Sequence, residues 1–217
     1  MENVNLVMKY MPYLIRGLGY TILVSVAAIL IALCVGMLLS LMRMTSNRLL
    51  NGVAGIYVSF VRGTPVIVQI FLIYYVIAML GIDVSALLSG IIALSLNSGG
   101  FMSEIIRGGL SAIPKGQYEA AEALGMPKMK IWLRIIFPQV FNIVLPQMTS
   151  EFINVIKMSP MLSIIAVVEL TRAAQRLVTQ TYVTLPFYVT IGIMYFIVNA
   201  LLEEIVKYQE RRVSTRK

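Results

Sequence analysis

The chain of 217 residues is too apolar for an ordinary water-soluble domain, since hydrophobic residues make up 59% of it and charged residues only 13%. It contains no histidine and one cysteine, Cys34, which excludes zinc clusters, Ser/His/Asp triads, Cys/His nucleophile pairs and intrachain disulfides. The net charge of +8 comes from lysines and arginines that collect near the ends of apolar runs, so it indicates membrane topology before nucleic-acid binding.

Five stretches are apolar enough to cross a bilayer as helices, for which about 20 residues are needed. In chain order they are residues 17–41, 53–80, 86–107, 131–156 and 185–206. The opening MENVNLVMKYMPYLIRG lacks the cleavage pattern of a removable signal peptide, so we expect the first span to act as the insertion signal. The predicted fold is therefore an all-α membrane protein with five transmembrane helices in one domain, residues 1–217.

One further apolar segment, PMLSIIAVVEL, is only about half a span long. We interpret it as a short interfacial or re-entrant segment. The prolines Pro160 and Pro186 bracket the region that contains it, and we expect this region to lie on one membrane face.

The positions of lysine and arginine predict an N-terminus outside and a C-terminus inside. This orientation leaves only four cations outside, namely Lys9, Arg16, Arg172 and Arg176, with Arg62 and Lys157 at membrane depth. The inner side receives Arg43, Arg48, Arg107, Lys115, Lys128, Lys130, Arg134, Lys207, Arg211, Arg212, Arg216 and Lys217. We interpret the C-terminal KYQERRVSTRK as an electrostatic anchor on anionic membrane lipid, not as a nucleic-acid arm.

The longest inner connection, about residues 108–130, contains the polar heptad EAAEALG. Strong helix formers fill residues 117–124, and Gly125 followed by Pro127 stops the helix. The pattern therefore predicts a short cytoplasmic helix over residues 117–125.

The predicted short helix has a narrow face of small and apolar residues beside an acidic edge. The 3.6-residue period places Ala120, Ala121 and Leu124 on one side, while Glu119 and Glu122 form the edge. Such a face suits docking into a groove of a soluble protein. The alternative is a helix that lies on the inner membrane surface.

Polar residues within the spans are candidates for a solute pathway, because the bilayer interior otherwise disfavours them. In SEFINVIKMSP, Asn154 and Lys157 share a helix face by their spacing, and Met158 and Ser159 follow. Lys157 either forms an ion pair with Glu151 or Glu104, or attracts a solute carboxylate. Pro160 is expected to break the helix and free nearby backbone groups.

Two further segments contribute candidate pathway residues. RGTPVIVQ supplies Arg62, Thr64 and Gln69, with a kinked helix and a snorkelling or capping arginine as the alternative. SLNSGG supplies Asn97 between Ser95 and Ser98, with tight helix contact at the paired glycines as the alternative.

The segment EAAEALGMPKMKIWLRIIFP resembles the cytoplasmic signature of ABC import permeases. Its positions here are Glu119, Ala120, Ala121, Gly125, Ile135, Phe137 and Pro138, with Phe137 where leucine is usual. Three other segments are similar to permeases of the polar amino acid uptake family, which includes histidine, arginine, glutamine, glutamate and cystine importers: FVRGTPVIVQIFLIYY, IALSLNSGGFMSEIIRGGLSAIPKGQYEAAEALG and VELTRAAQ. The resemblance covers about residues 14–212.

The resemblance implies a multi-pass permease of the bacterial cytoplasmic (inner) membrane, with the short helix as its coupling helix. It also implies four kinds of partner: a second permease subunit, identical or different; two ATP-binding cassette subunits; an external solute-binding protein; and an amino acid substrate. The chain lacks a G-x-x-x-x-G-K-[ST] loop, so we expect no cofactor and no enzymatic activity here, with ATP and Mg²⁺ bound by the partner ATPase. The chain is too short to include a fused binding domain, so we expect a separate receptor.

One departure from the family pattern bears on the substrate. Members commonly carry Lys-Asp, a Ser/Thr pair and Leu where this chain reads Lys157, Met158, Ser159, Pro160 and Met161. The missing carboxylate favours neutral or acidic amino acids, or cystine, over arginine and lysine. The rival interpretations are a permease for another small solute such as an osmolyte or D-methionine, an uncoupled channel or scaffold subunit, and a membrane enzyme that relies on Glu and Lys.

Overall fold

The structure is a computed structural model that describes residues 2–214, with side chains described for residues 5–208. Within this range the chain is helical almost throughout and contains no strand. The α-helices are α1 Glu2–Met44, α2 Arg48–Gly63, α3 Val66–Met79, α4 Ala86–Ser111, α5 Lys115–Ala123, α6 Lys128–Ile131, α7 Phe137–Met158, α8 Leu170–Thr181 and α9 Leu185–Ser214. A π-helical turn, Trp132–Ile136, joins α6 to α7, and a 3-10 helix, Ser159–Ile165, follows α7.

Four of the described helical stretches are long and apolar enough to cross a membrane, and a fifth results if α2 and α3 form one span. The four are Asn5–Met44, Ala86–Ser111, Lys128–Ile165 and Leu185–Tyr208. The prediction of an all-α, multi-pass membrane protein is therefore confirmed.

The first helix starts well before the predicted boundary at residue 17. Its N-terminal turns are held by packing, because Leu14 is fully buried in a cluster with Leu170 of α8 and Phe187 of α9. Periodicity and hydropathy missed these turns because the first residues alternate apolar and polar side chains without a long apolar run.

The predicted second span, residues 53–80, is not a single straight helix. α2 and α3 meet at an angle of 115°. Pro65 has no backbone N–H and disfavours helical geometry at the residue before it, so Thr64 is extended, with φ −120° and ψ 145°. α3 alone spans about 21 Å, less than a hydrocarbon core of about 30 Å, so a crossing here needs part of α2.

The segment PMLSIIAVVEL lies inside the bundle. The α-helix ends at Met158, as expected from Pro160, and the chain tightens into the 3-10 helix. Leu162, Ile165 and Val167 are 0, 3 and 4% exposed and pack in the main core with α1 and α4. These contacts favour the re-entrant interpretation over the interfacial one.

Glycines allow α1 and α4 to approach closely along the centre of the molecule. A Cβ atom added to Gly36 would lie 2.5 Å from the Cβ of Met102, and one added to Gly99 would lie 2.5 Å from Cγ1 of Val35. Gly100 makes a similar approach to Val61 of α2. The paired glycines of SLNSGG therefore allow tight helix contact, in agreement with the alternative given above for this segment.

Contacts of α1 with α8 and with α4 mark the two opposite ends of the helix bundle. At one end the backbone N–H of Leu170, in α8, donates to Thr21 Oγ1 at 3.2 Å. At the other end Arg43 pairs with Glu104 of α4. Twenty-two residues of helix separate Thr21 from Arg43, which is about 33 Å and close to the thickness of a hydrocarbon core. α5 follows α4 directly, so it lies beyond the Arg43 end.

The start of α8 is fastened by Glu169, which is fully buried. Its carboxylate accepts hydrogen bonds from the backbone N–H groups of Thr171 and Arg172, at 2.8 and 2.7 Å, and from the Tyr195 hydroxyl of α9 at 2.8 Å. Burial raises the pKa of this carboxyl, and the hydrogen bonds act in the opposite direction. This cap fixes α8 to α9 at the end opposite α5.

Candidate functional site: an exposed helix and a cleft between α7 and α9

The predicted short helix is present as α5, shifted by two residues toward the N-terminus. Leu124, its C-terminal neighbour, is 82% exposed, and Ala120 and Glu119 are also exposed. Ala121 instead is 3% exposed and packs in a buried cluster with Ile131, the last residue of α6. The prediction that Ala121 shares the open face is therefore wrong, because on so short a helix the residue 100° away turns inward.

Gly125 ends this helix in a left-handed conformation, with φ +72°. Its N–H donates to the carbonyl of Glu122 at 2.9 Å, and the N–H of Met126 donates to the carbonyl of Ala121 at 3.1 Å. Glycine adopts this geometry without the steric cost that a Cβ would add. The turn therefore directs the chain from α5 straight into α6.

A side-chain hydrogen bond joins α5 to α7, the helix that contains most of the fourth predicted span. The sequence analysis did not identify this bond. Gln139 Nε2, in α7, donates to Gln117 Oε1 at 2.6 Å and to the carbonyl of Ile135 at 2.8 Å. Together with buried Ala121, this contact anchors α5 on the base of the fourth span. Packed atoms therefore connect α5 directly to α7.

The signature residues beyond Gly125 lie on the helix that this turn starts. Ile135 is half-buried in the π-helical turn, while Phe137 is 55% exposed. Pro138 is exposed at the beginning of α7. The signature thus combines two residues that pack within the chain, Ala121 and Ile135, with exposed residues at the same end of the bundle.

Asn154 and Lys157 line a cleft of about 300 Å³ between α7 and α9. Both are exposed, and Glu203 of α9 lies on the opposite wall. The prediction that the first two share a face is confirmed. The same cleft also includes Ser150, Ile153, Val206 and Lys207.

Neither ion pair predicted for Lys157 is present. Within residues 5–208 its ammonium lies in no ion pair, because Glu104 is occupied by arginines and Glu151 is turned into the bundle. The carboxylate of Glu151 is 6% exposed and accepts from Ser98 Oγ at 2.8 Å and from Asn154 Nδ2 at 3.3 Å. The cleft therefore presents a cation that forms no ion pair among the described residues, with Glu203 across the cleft and the buried carboxylate of Glu151 nearly two turns earlier on α7.

Met158 and Ser159 stand at the end of α7, behind the cleft. Met158 is half-buried, and Ser159 is fully buried with its hydroxyl donating to the carbonyl of Ile156 at 2.8 Å. Ser159 therefore satisfies a freed backbone carbonyl where the helix tightens.

Gln69 and Asn97 are brought together, but at the bend between α2 and α3. Gln69 is 5% exposed, and its Nε2 lies 2.9 Å from the carbonyl of Val61 and 2.8 Å from Thr64 Oγ1. Its Oε1 accepts from Asn97 Nδ2 at 3.0 Å. The amide thus caps carbonyl groups that Pro65 leaves without helical partners.

Arg62 lies with other arginines around Glu104. Its Nη1 is 3.7 Å from Glu104 Oε2, and the same carboxylate binds Arg43 and Arg107. The kinked-helix alternative is therefore the better description of Arg62. Sequence reasoning missed the pairing because 42 residues separate Arg62 from Glu104.

The family model for the inner membrane component of binding-protein-dependent transport systems matches residues 28–215. The chain belongs to this family. Membership makes it a permease subunit of a transporter and agrees with its several apolar helices.

Its relatives include proteins named for amino acid transport. It is 37% identical over 209 residues to a putative glutamine transport system permease of Rickettsia conorii, covering 94% of this chain and 96% of the relative. It is 35% identical to an L-cystine permease of Bacillus subtilis, covering 94% of this chain and 88% of the relative. It is 34% identical to an arginine permease of that organism, with 94% of each chain covered.

Solved structures show the same fold. A chain from the crystal structure of an amino acid ABC transporter with histidines has a TM-score of 0.89 and 35% identity, with coverage of 95% of this chain and 96% of that one. A chain of the inward-facing MetNI methionine ABC transporter has a TM-score of 0.74 at 22% identity, covering 94% of this chain and 98% of that one, which speaks to the fold alone.

Proposed function

We propose that this chain is the permease subunit of an ATP-driven ABC importer for amino acids. The observation that carries the proposal is α5, an exposed helix anchored to the fourth span through Ala121 and the Gln117–Gln139 hydrogen bond. A helix that only joined two spans would need neither exposed Leu124 nor this anchoring. α5 therefore acts as the coupling helix, with Glu119, Ala120 and Leu124 meeting the ATPase.

The remaining subunits follow the same proposal. Two copies of a separate ATPase bind ATP and Mg²⁺, a second permease subunit, identical or different, completes the pathway, and an external solute-binding protein delivers the amino acid. The complex resides in the bacterial inner membrane, with α5 and the C-terminus inside and the N-terminus outside. The cations Arg43, Arg107 and Lys115, at the α5 end, support this orientation. The predicted anchor KYQERRVSTRK extends outside the described side chains and remains a prediction.

Energy enters through α5 in this mechanism. ATP-driven closure of the ATPases moves the docked helices toward each other, and Gly125 directs that movement into α6 and α7. The end of α7 carries the cleft with Asn154 and Lys157, so the motion reaches the polar residues of the pathway. Coupling requires the binding protein and ATP to favour the same conformation.

The cleft supports a substrate with a carboxylate. Lys157 offers a cation to the α-carboxylate, and Asn154 offers an amide beside it. Met158 supplies no acidic partner for a basic side chain, which favours neutral or acidic amino acids or cystine. Buried Ser159 lies at the end of α7 behind the cleft, while Gln69, Asn97, Arg62 and Thr64 lie at or near the bend between α2 and α3. Glu203 on the opposite wall is the feature of the cleft that would favour a cation instead, and it also suits the amino group of an amino acid.

Reconstitution tests this proposal. We expect proteoliposomes that contain the chain with its ATPase and binding protein to accumulate labelled glutamine, glutamate or cystine when ATP is supplied, and to favour them over lysine. Liposomes with the chain alone should accumulate none. Uptake by the chain alone would contradict the coupled mechanism and favour an uncoupled channel. ATP-driven uptake with a clear preference for lysine would leave coupling intact and overturn the substrate assignment.

The second candidate is a permease of the same family for another small solute. The similarity to the methionine transporter fold is compatible with it. An osmolyte and D-methionine, included as labelled solutes in the same liposomes, separate this candidate from an amino acid importer.

A further inference from the structure

A cluster of three arginines surrounds one glutamate at the α5 end of the bundle. Glu104 Oε1 accepts from Arg43 Nη1, Glu104 Oε2 accepts from Arg107 Nη2 at 2.7 Å, and Arg62 Nη1 lies 3.7 Å from Oε2. The residues come from α1, α2 and α4. Because three cations share one carboxylate, the cluster carries a net charge of +2.

Much of this positive charge is not neutralised within the cluster. A guanidinium group has five N–H donors, and one carboxylate satisfies few of the fifteen that three arginines provide. Among residues 5–208, no second carboxylate lies within 4.0 Å of these groups. The side chains of Arg62 and Arg107 are 52 and 43% exposed, so their free donors face outward. The cluster is therefore able to bind a further anion.

α2 has the pattern of a helix that lies along a membrane surface. It runs at 115° to α3, and its exposed residues fall into two sectors. Arg48, Asn51, Ser59 and Arg62 occupy a polar sector, while Leu49, Val53, Ile56 and Phe60 form an apolar one and are 74, 53, 73 and 48% exposed. Adjacent basic and apolar sectors are typical of helices at the headgroup boundary.

The depth of the cluster agrees with this placement. Arg43 lies about 33 Å along α1 from Thr21, which contacts α8 at the opposite end. That distance is about one hydrocarbon core. The free guanidinium donors of Arg62 and Arg107 therefore lie near the level of lipid phosphates, with lipid-facing apolar residues on the same helix.

We propose that Arg62 and Arg107, supported by Arg43, form a binding site for the phosphate of an anionic phospholipid. Guanidinium groups bind phosphate oxygens through paired hydrogen bonds, and a headgroup at this position neutralises part of the surplus charge. The acyl chains then lie along the apolar sector of α2. The lipid joins α1, α2 and α4 at the bend that precedes α3.

Native mass spectrometry of the detergent-purified chain tests the site with defined lipids. We expect the wild type to retain phosphatidylglycerol at least threefold more than phosphatidylcholine, and Arg62→Gln to lose most of that preference. Arg134→Gln is the matched control, since it removes one exposed cation outside the cluster. Arg62→Lys keeps the positive charge but lacks the paired N–H donors of a guanidinium group. This variant should retain an intermediate preference for phosphatidylglycerol.

Four outcomes would overturn the proposal. Equal retention of the two lipids by the wild type would show that no anionic site exists. Equal loss in Arg62→Gln and Arg134→Gln would show that only total charge matters. Displacement of phosphatidylglycerol by millimolar inorganic phosphate would identify a soluble anion as the ligand. Should Arg62→Gln weaken self-association and leave lipid retention unchanged, the arginines would instead meet a carboxylate of a second subunit.

Discussion

Gln69 shows how a single buried amide stabilises a bend in a membrane protein. Proline at position 65 removes a donor from the start of α3, and the carbonyls at the end of α2 lose their helical partners. Val61 and Gln69 are 3 and 5% exposed, so an unpaired carbonyl at this position is costly. The Gln69 side chain replaces the missing donor and is itself held by Asn97.

Replacing Gln69 by leucine should therefore destabilise the chain by about 1–3 kcal/mol, because it leaves the Val61 carbonyl and the Asn97 amide unpaired. Thermal unfolding in detergent should show a lower midpoint for Gln69→Leu. Gln180→Leu, at an exposed position on α8, is the control and should unfold near the wild-type temperature. Equal midpoints for the two variants would contradict the capping role.

Individual polar residues were predicted as candidates from the sequence, but their partners were not. Asn154 and Lys157 share an exposed face because they lie on one helix, and helical period alone determines that. Glu104 meets arginines from α1 and α2, which no local pattern reveals. Gln69 was interpreted as a pathway residue because a polar residue within a predicted span looks the same in the sequence whether its side chain binds solute or caps backbone groups.

At the scale of elements, glycines determine how closely α1 and α4 pack. Gly36 is one such residue, and an added Cβ there would also lie 3.1 Å from the carbonyl of Gly99. Backbone atoms cannot move aside as a flexible side chain can. Gly19, on the same helix, has no atom within 4 Å of an added Cβ.

We expect Gly36→Ala to lower stability by about 1–3 kcal/mol, since the helices must separate to admit the methyl group. Gly19→Ala should cause no loss, because alanine favours a helix over glycine and finds open space. Denaturation of both variants in the same detergent measures the difference. Similar stability for the two would indicate that the α1–α4 contact tolerates an added methyl group.

The positions of the helices were largely predictable from the sequence, and each difference between a predicted and an observed helix has a local cause. The run of strong helix formers, ended by Gly125 and Pro127, predicted α5 to within two residues. Pro65 marked the break between α2 and α3, but a proline does not determine an angle of 115°. The inward turn of Ala121 depends on packing against Ile131, which a helical wheel of a nine-residue helix does not specify.

For the whole molecule, the proposed mechanism depends on one turn between α5 and the fourth span. Gly125 has φ +72° and open space around it, so a side chain there is strained by conformation and not by collision. Replacing this glycine by valine makes the left-handed conformation less favourable by about 1–2 kcal/mol, and the branched Cβ of valine adds to that cost. The strain is too small to unfold the bundle, and it changes the direction of α5.

Gly125→Val should therefore insert into the membrane normally and lose ATP-driven uptake in the reconstituted complex. Gly116→Val is the control, because that glycine also has open space but an ordinary helical φ. Membrane fractionation, uptake and stimulated ATP hydrolysis should be measured on both. Survival of both uptake and stimulation in Gly125→Val would contradict the coupling assignment.

The close glycine contact between α1 and α4 limits how these two helices can move in the proposed mechanism. Helices whose backbones nearly touch cannot slide by a fraction of an ångström without collision, so α1 and α4 must travel together. In the proposed mechanism, alternating exposure of a solute then falls to movements between α7 and α9, which flank the open cleft.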